Sequence, residues 1–469
     1  MAFDLSSAKH IHFIGIGGSS MSGLAEMLLR SGYRVSGSDE RESERTERLS
    51  RLGARIYMGH SEKNIMDNPD LVVYTVAVNS SNPELNAARE KGLPVIVRAE
   101  LLGQMMKSYN HRICISGTHG KTTTTSMVSL IMLHSGLDPT IHIGAEFQPI
   151  GGSVRVGGKN FFITEADEYH ESFLKFNPCT AVVLNIEADH LDYFKDINHI
   201  MDAYRKFISE VPKNGYLIAC IDDPNTRELV KDANCNVITY GIKSDSADWL
   251  ARDIKYNESG FPEFAVIYKN QELGQIRLAV PGCHNVYNAL GAAAACHANG
   301  CSFESIKLSL SEYRGSHHRF ETKGKVNGIT VIDDYAHHPS EIRASLEAAS
   351  KLNYNRVWCV FQPHTYTRTK YLFEDFANSF GHCYYAVITD IYAARETDNG
   401  EIHSKMLVDR IVSKGQNAVY ISDFEQIVDY LVLNAAPGDL VLTMGAGDIS
   451  KVGDMFLESY PKESPYQRL

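Results

Sequence analysis

The chain has 469 residues, 43% hydrophobic and 22% charged, and a formal net charge of −11. That length exceeds a single hydrophobic core and fits about three domains. The composition is that of a soluble globular protein. The acidity argues against a general nucleic-acid or membrane-surface role, yet allows a local phosphate pocket. No apolar run reaches bilayer length, and the opening MAFDLSSAKHIHF lacks the pattern of a signal peptide. The nine cysteines form no CxxC pair. Cys114, Cys220, Cys359 and Cys383 lie in or beside apolar segments, which predicts reduced, mostly buried thiols in a cytoplasm.

Short β-branched runs alternate with helical patterns, which predicts a parallel α/β architecture. The first block, residues 1–107, opens with HIHFIGIGGSSMSG at 10–23. An apolar-periodic helix around MSGLAEMLLRSG follows, then strands YRVSGSD, DLVVYTVAV and LPVIVRAE, a Rossmann-like unit. Gly15, Gly17 and Gly18 permit a tight turn and close approach of phosphates to a helix N-terminus. Asp39, beside Ser38, ends the next strand, where Rossmann proteins hold a ribose hydroxyl. The dinucleotide fingerprint requires glycine at position 20, and this chain has Ser20. A packing turn and a phosphate cradle both remain open; NAD is disfavoured because no hydride-transfer site follows.

The second block, residues 108–318, begins at RICISG and carries GTHGKTTT at 117–124 between a strand and a helix. Backbone N–H groups of Gly117, Thr118, His119, Gly120, Lys121, Thr122 and Thr123 can wrap phosphates. Lys121 can neutralise them, and the Thr122 hydroxyl can ligate Mg²⁺. Ile115 stands where the common loop has its first glycine, so this is a variant form. FFITEADEYHESF puts Glu165 and Asp167 at a strand end, and VVLNIEADHLD does the same with Glu187, Asp189 and His190. Each alone reads equally well as a solvated loop residue; with the Lys-Thr loop they form a metal-proximal set. In PGCHNVYNALGAAAACHANG, His284 and Asn288 share a helix face. His284 or Asn285 can cap that helix, or the three can contact a nucleobase.

The third block, residues 319–469, runs through ITVIDDYAHHP, RVWCVFQPHTYTRT, YYAVITDIYAARE, NAVYIS and DLVLTMGAGD, again strand by strand. Arg368 opens a helix predicted over TRTKYLFEDF, and from the residues alone a surface position is the favoured reading. The polar tail SYPKESPYQRL is expected to fray.

GTHGKTTT, EADE…SF, NIEADHLD, HNVYNALGAAAA, HHRFE, DDYAHHPSEI and FQPHTYTRT occur in this order, and so ordered they resemble the ATP-dependent Mur ligases of peptidoglycan synthesis. IHFIGIGGSSMSGLAE, NPE at 82–84, and the HHP and FQPH elements resemble the branch that adds L-alanine. The resemblance spans essentially the whole chain. It implies three domains: a Rossmann-like N-terminal domain, a central P-loop ATPase-like domain and a Rossmann-like C-terminal domain that brings the amino acid. It implies an ATP- and Mg²⁺-dependent ligase acting on UDP-N-acetylmuramate and L-alanine through an acyl phosphate. Carried over by motif, Gly15, Gly17, Gly18, Ser38 and Asp39 face the sugar nucleotide. Thr122, Glu165 and His190 are metal-proximal, and Lys121 serves the phosphates. His284, Asn285 and Asn288 lie near adenine, and Arg319 and Asp334 reach the nucleotide from the far side. His337 and Arg368 hold the amino acid. The expected protein is a cytoplasmic monomer or weak homodimer without nucleic acid or stable membrane association. Thr365 replaces an arginine that many relatives carry, leaving Arg368 as the main clamp. Tyr169 and His170 depart from the commoner DESDASF pattern and receive no role. The position of a lysine carbamoylated in some siblings falls at Arg205 or Lys206, and no modification is assigned. The rival within the family is a recycling ligase that attaches a whole tripeptide; FQPHTYTRT argues against it.

Overall fold

The computed structural model describes residues 4–75 and 77–460; most of the tail expected to fray, 461–469, lies outside them. Three sheets follow one another along the chain. The first has five parallel strands in the order Arg55–Met58, Arg34–Asp39, His10–Ile14, Leu71–Tyr74 and Val95–Val97. His10–Ile14 is buried throughout, as a central parallel strand covered on both faces must be. Chain order reverses on either side of it, so a crevice opens at its carboxyl end, where the glycine turn lies.

The second sheet has ten strands. Its parallel centre holds Tyr216–Cys220, Thr180–Val183, His111–Ser116 and Phe161–Glu165. Helices Lys121–His134 and Cys283–Ala298 pack together over it through an apolar cluster that includes Met127, Ile131, Ala289 and Ala293. The sheet is mostly parallel, as the alternation of strands and helices predicts, with antiparallel additions at both sides. An antiparallel ribbon of Trp249–Tyr256, Pro262–Tyr268 and Gln271–Arg277 extends one side, and Gly152–Arg155 pairs antiparallel with Thr140–Phe147 on the other. Gln271–Arg277 is mostly exposed, and an antiparallel strand can face water on one side.

The third sheet has six strands, with Glu321–Val326 antiparallel to Ile329–Asp334, followed by parallel Leu440–Met444, Val357–Phe361, Tyr385–Ile388 and Ala418–Tyr420. The helix predicted over TRTKYLFEDF is instead two short ones, Tyr366–Tyr371 and Phe373–Ala377, broken at Leu372. All nine cysteines are free, and Cys114, Cys220, Cys296, Cys301 and Cys359 are buried. Among the described residues no helix is long and apolar enough to cross a membrane.

Candidate active site

The first-domain crevice is a pocket of about 650 Å³ lined by Gly15, Gly17, Gly18, Asp39, His60 and Asn82, among others. Asp39 accepts the Gly17 N–H at 2.8 Å, and a Cβ on Gly17 would stand 2.9 Å from that carboxylate oxygen. Asp39 therefore shapes the glycine turn, with its other oxygen facing Arg41 N at 3.5 Å. Ser38 does not line this pocket. It is fully buried, its hydroxyl engaged with Glu84 at 2.7 Å and His60 at 2.9 Å. Glu84, from the NPE element, also accepts from Asn64 and Ser61. Burial raises its pKa, but His12, Ser38 and Asn64 outweigh that and hold the carboxyl below its usual range.

At the second sheet, strand His111–Ser116 ends in the phosphate loop, and helix Lys121–His134 starts from Gly120. Gly120 has φ of +84°, and a Cβ there would meet Asn288 Oδ1 at 2.4 Å; glycine alone fits. Lys121 folds back on its own loop, its Nζ donating to the Gly117 carbonyl at 2.6 Å and to Glu168 at 3.0 Å. Burial lowers its pKa, yet Glu168 and Asp167 raise it above the normal lysine value, so it stays charged. Glu168 is 47 residues distant in sequence, and its pairing was not legible there. Glu165 ends strand Phe161–Glu165, with Oε1 accepting the Gly144 N–H at 2.6 Å. Tyr169, left without a role, packs against His190 with ring centroids 4.4 Å apart and planes tilted by 30°, and donates its hydroxyl to Asp192 at 2.7 Å. Lys206 pairs with Glu171 at 3.0 Å, and Arg205 with Asp202 and Asp232.

The second and third domains meet over this loop. His119 lies between two carboxylates, Nδ1 at 3.2 Å from Glu341 and Nε2 at 3.5 Å from Glu187. Burial pulls its pKa down, but Glu341 and Glu187 override it and push it up to about 9. The HHPSE stretch is a capping box: His338 N-caps helix Pro339–Ser350 and Glu341 reaches back to its backbone N–H. That pattern was the available signal for Glu341. Arg368 is paired across the same boundary, with Nε at 3.0 Å and Nη2 at 3.3 Å from the two Asp189 oxygens. Its Nη1 faces His364 Nδ1 at 3.1 Å. His337 Nδ1 bonds the Tyr335 carbonyl at 2.9 Å. A carbonyl only accepts, so Nδ1 carries the proton and Nε2 keeps its lone pair. Burial drives this imidazole down to about 3.

A pocket of about 320 Å³ beside the loop is lined by Gly120, Tyr240, His284, Asn285, Tyr287 and Asn288, with Arg319 and Asp334 across from them. Neither His284 nor Asn285 caps the helix: the cap is Gly282, with no side-chain bond. Asn285 Nδ2 donates to the Pro281 carbonyl at 2.7 Å, and Asn288 Nδ2 to Asn285 Oδ1 at 3.0 Å, leaving Asn288 Oδ1 directed at Gly120. Arg319 Nη2 donates to Thr122 Oγ1 at 3.3 Å. Asp334 is buried, which pushes its carboxyl up to about 7 against the pull of Arg319. Thr118, Lys121, Thr122, Glu165, His190, His337 and Arg368 all line one cleft of about 1160 Å³, together with Ser22, Gly23 and Arg48 of the first domain. A hydroxyl, a carboxylate and an imidazole around a phosphate loop suit a hard divalent cation. The ligand atoms of Asp167, Glu168 and His190 lie close enough together to hold an ion.

Three α/β domains sharing one cleft, with a Gly-Lys-Thr loop on its wall, define a nucleotide-using enzyme. The chain belongs to the Mur ligase family. Sequence models match at 10–110 (Mur ligase family, catalytic domain), 115–296 (Mur ligase middle domain) and 318–447 (Mur ligase, glutamate ligase domain). It is 59% identical over 455 residues to a UDP-N-acetylmuramate–L-alanine ligase of Acetivibrio thermocellus, covering 97% of each chain. It is 50% identical over 462 residues to one of Caldanaerobacter subterraneus subsp. tengcongensis, covering 98% of this chain and all of that one. Among solved structures it is similar to UDP-N-acetylmuramate-alanine ligase MurC of Thermotoga maritima, with a TM-score of 0.82, 30% identity, and 96% and 99% of the two chains covered.

Proposed function

We propose that this chain joins L-alanine to the carboxylate of UDP-N-acetylmuramate, converting ATP to ADP and phosphate, in the assembly of peptidoglycan precursor. The observation that carries the reading is a cleft lined by all three domains at once, so that a sugar nucleotide, ATP and an amino acid can meet there. The names of relatives matched end to end supply the identities.

A carboxylate has no good leaving group, so it is activated first. Its oxygen attacks the γ-phosphorus, the bond to ADP breaks, and an acyl phosphate forms. The alanine amine then attacks the acyl carbon and phosphate departs. Catalysis is mainly positioning and neutralisation of charge. In this reading Lys121 leaves the Gly117 carbonyl for the phosphates, the loop N–H groups wrap them, and Arg319 approaches from the third domain. Mg²⁺, held by Thr122, Glu165 and His190, would supply further charge neutralisation at the phosphates. The 320 Å³ pocket takes adenine, and the first-domain pocket takes UDP. Arg368 and His337 receive alanine, and the amine proton leaves to the departing phosphate or to solvent. The domains are 1–107, 108–318 and 319–469. The reading implies a cytoplasmic monomer or weak homodimer without nucleic acid or stable membrane attachment. Incorporation of labelled L-alanine against a tripeptide tests it: alanine is expected to be joined to the sugar nucleotide, and preference for the tripeptide would identify the recycling activity instead.

A further inference from the structure

Ser20 stands where the dinucleotide fingerprint has glycine, in the first turn of helix Ser19–Arg30. Its Oγ accepts from Arg98 Nη1 at 2.9 Å and lies 3.2 Å from His142 Nε2. His142 Nδ1 is 3.1 Å from Thr164 Oγ1, which is 3.1 Å from the Glu165 carbonyl. One arrangement of hydrogens satisfies the whole chain. The carbonyl only accepts, so the Thr164 hydroxyl donates to it, and Thr164 Oγ1 accepts the His142 Nδ1–H. Nε2 of the neutral ring then accepts the Ser20 hydroxyl proton, and the Ser20 oxygen accepts from Arg98. Burial, with Arg98 nearby, keeps His142 uncharged, as this chain of donors and acceptors requires.

The chain begins on helix Arg98–Met106, passes through the helix that follows the glycine turn, and ends on strands Thr140–Phe147 and Phe161–Glu165 of the second sheet. It ends at Glu165. Thr164 holds the Glu165 carbonyl, and Gly144, two residues beyond His142, holds its carboxylate at 2.6 Å. The helix carrying Ser20 lies close against the second domain: a Cβ on Gly23 would be 2.8 Å from Val154 Cγ1. Ser22 and Gly23 line the same cleft as Glu165.

We infer that Ser20 is a positioning residue whose hydroxyl sets the sugar-nucleotide cradle of the first domain relative to Glu165 in the second. The residue that spoils the dinucleotide fingerprint is thus the contact that aims one substrate pocket at the other. The inference rests on the ligase reading. Without the Ser20 hydroxyl the first-domain pocket keeps its own lining, none of which Ser20 supplies, so binding persists while alignment is lost.

The test uses the full chain. Ser20→Ala is expected to bind UDP-N-acetylmuramate within about twofold of wild type by calorimetry, to lower kcat roughly tenfold or more, and to raise the Mg²⁺ concentration for half-maximal rate. Ser20→Thr keeps the hydroxyl and is expected to retain most of the rate. Ser20→Gly, which restores the fingerprint, is expected to fail as the alanine variant does and provides a second route should that variant not fold. Ser20→Ala combined with His142→Ala is expected to be no slower than the worse single variant, because both break one chain. A Ser20→Ala or Ser20→Gly enzyme with wild-type kcat, a threonine variant as impaired as alanine, or losses that multiply in the double variant would each overturn the inference. An inactive wild type would instead overturn the ligase reading.

Discussion

Replacing Arg368 by lysine keeps a cation at the boundary of the second and third domains but removes the planar fork. Two of the arginine's nitrogens reach the two Asp189 oxygens, at 3.0 and 3.3 Å, and the side chains of this pair are 10% and 9% exposed. Burial raises the Asp189 pKa, and Arg368 and His190 pull it far below the carboxylate range, so Asp189 remains charged and needs its partner. A single ammonium cannot reproduce the two-point pairing with Asp189 while also reaching an incoming amino-acid carboxylate, whereas the guanidinium, with Nη1 already held by His364, keeps the second N–H of Nη2 to offer. Losing one charge-assisted hydrogen bond to substrate costs about 1.5–3 kcal/mol, or roughly ten- to a hundredfold in apparent affinity. Steady-state kinetics of Arg368→Lys, with each substrate varied in turn, are expected to show that rise in KM for L-alanine and a change in KM for ATP of about twofold or less. Alanine kinetics within twofold of wild type, or equal rises in both constants, would refute the assignment of Arg368 as the amino-acid clamp.

Lys121→Ala is expected to lower the ligation rate by on the order of 10²–10³-fold or more, while calorimetry shows UDP-N-acetylmuramate binding nearly unchanged because that pocket lies in the first domain; equal loss of both would contradict the two-cradle arrangement. Glu165→Gln is expected to raise the Mg²⁺ concentration needed for half-maximal rate, since a neutral amide is a poorer ligand for a hard cation; an unchanged magnesium dependence would leave Glu165 as the anchor of Gly144 alone. His119, raised to about 9 in the folded chain, contributes stability that is complete below its unfolded pKa of about 6.5 and is lost as pH rises through about 9. Thermal unfolding across pH 6–10 is therefore expected to show a steeper alkaline decline in wild type than in His119→Gln, and parallel curves would count against the Glu187–His119–Glu341 bridge.

The strand–glycine turn–helix units and the three-domain order were legible because buried parallel strands are nearly continuous apolar runs, as in VWCVF and TAVV. WLARDIKY and QELGQIR escaped notice because half-buried strands carry polar residues on one face. The cleft gathers residues that single motifs had named, Lys121, Glu165, His190, His337 and Arg368. Their partners were not legible. Asp189 lies 179 residues from Arg368, and no local pattern links Glu168 to Lys121. Ser38 had the right register for a ligand contact, but its side chain points to the buried Glu84. Ser20 read as a defect in a fingerprint because its partners, Arg98 and His142, come from distant elements.

Phosphate release with purified full-length protein, ATP and Mg²⁺, scanned across amino acids with and without UDP-N-acetylmuramate, tests the central claim most directly. The account predicts release that needs the sugar nucleotide, is greatest with L-alanine, and yields one phosphate for each alanine joined. Release independent of the sugar nucleotide, or indifferent to the amino acid, would contradict it.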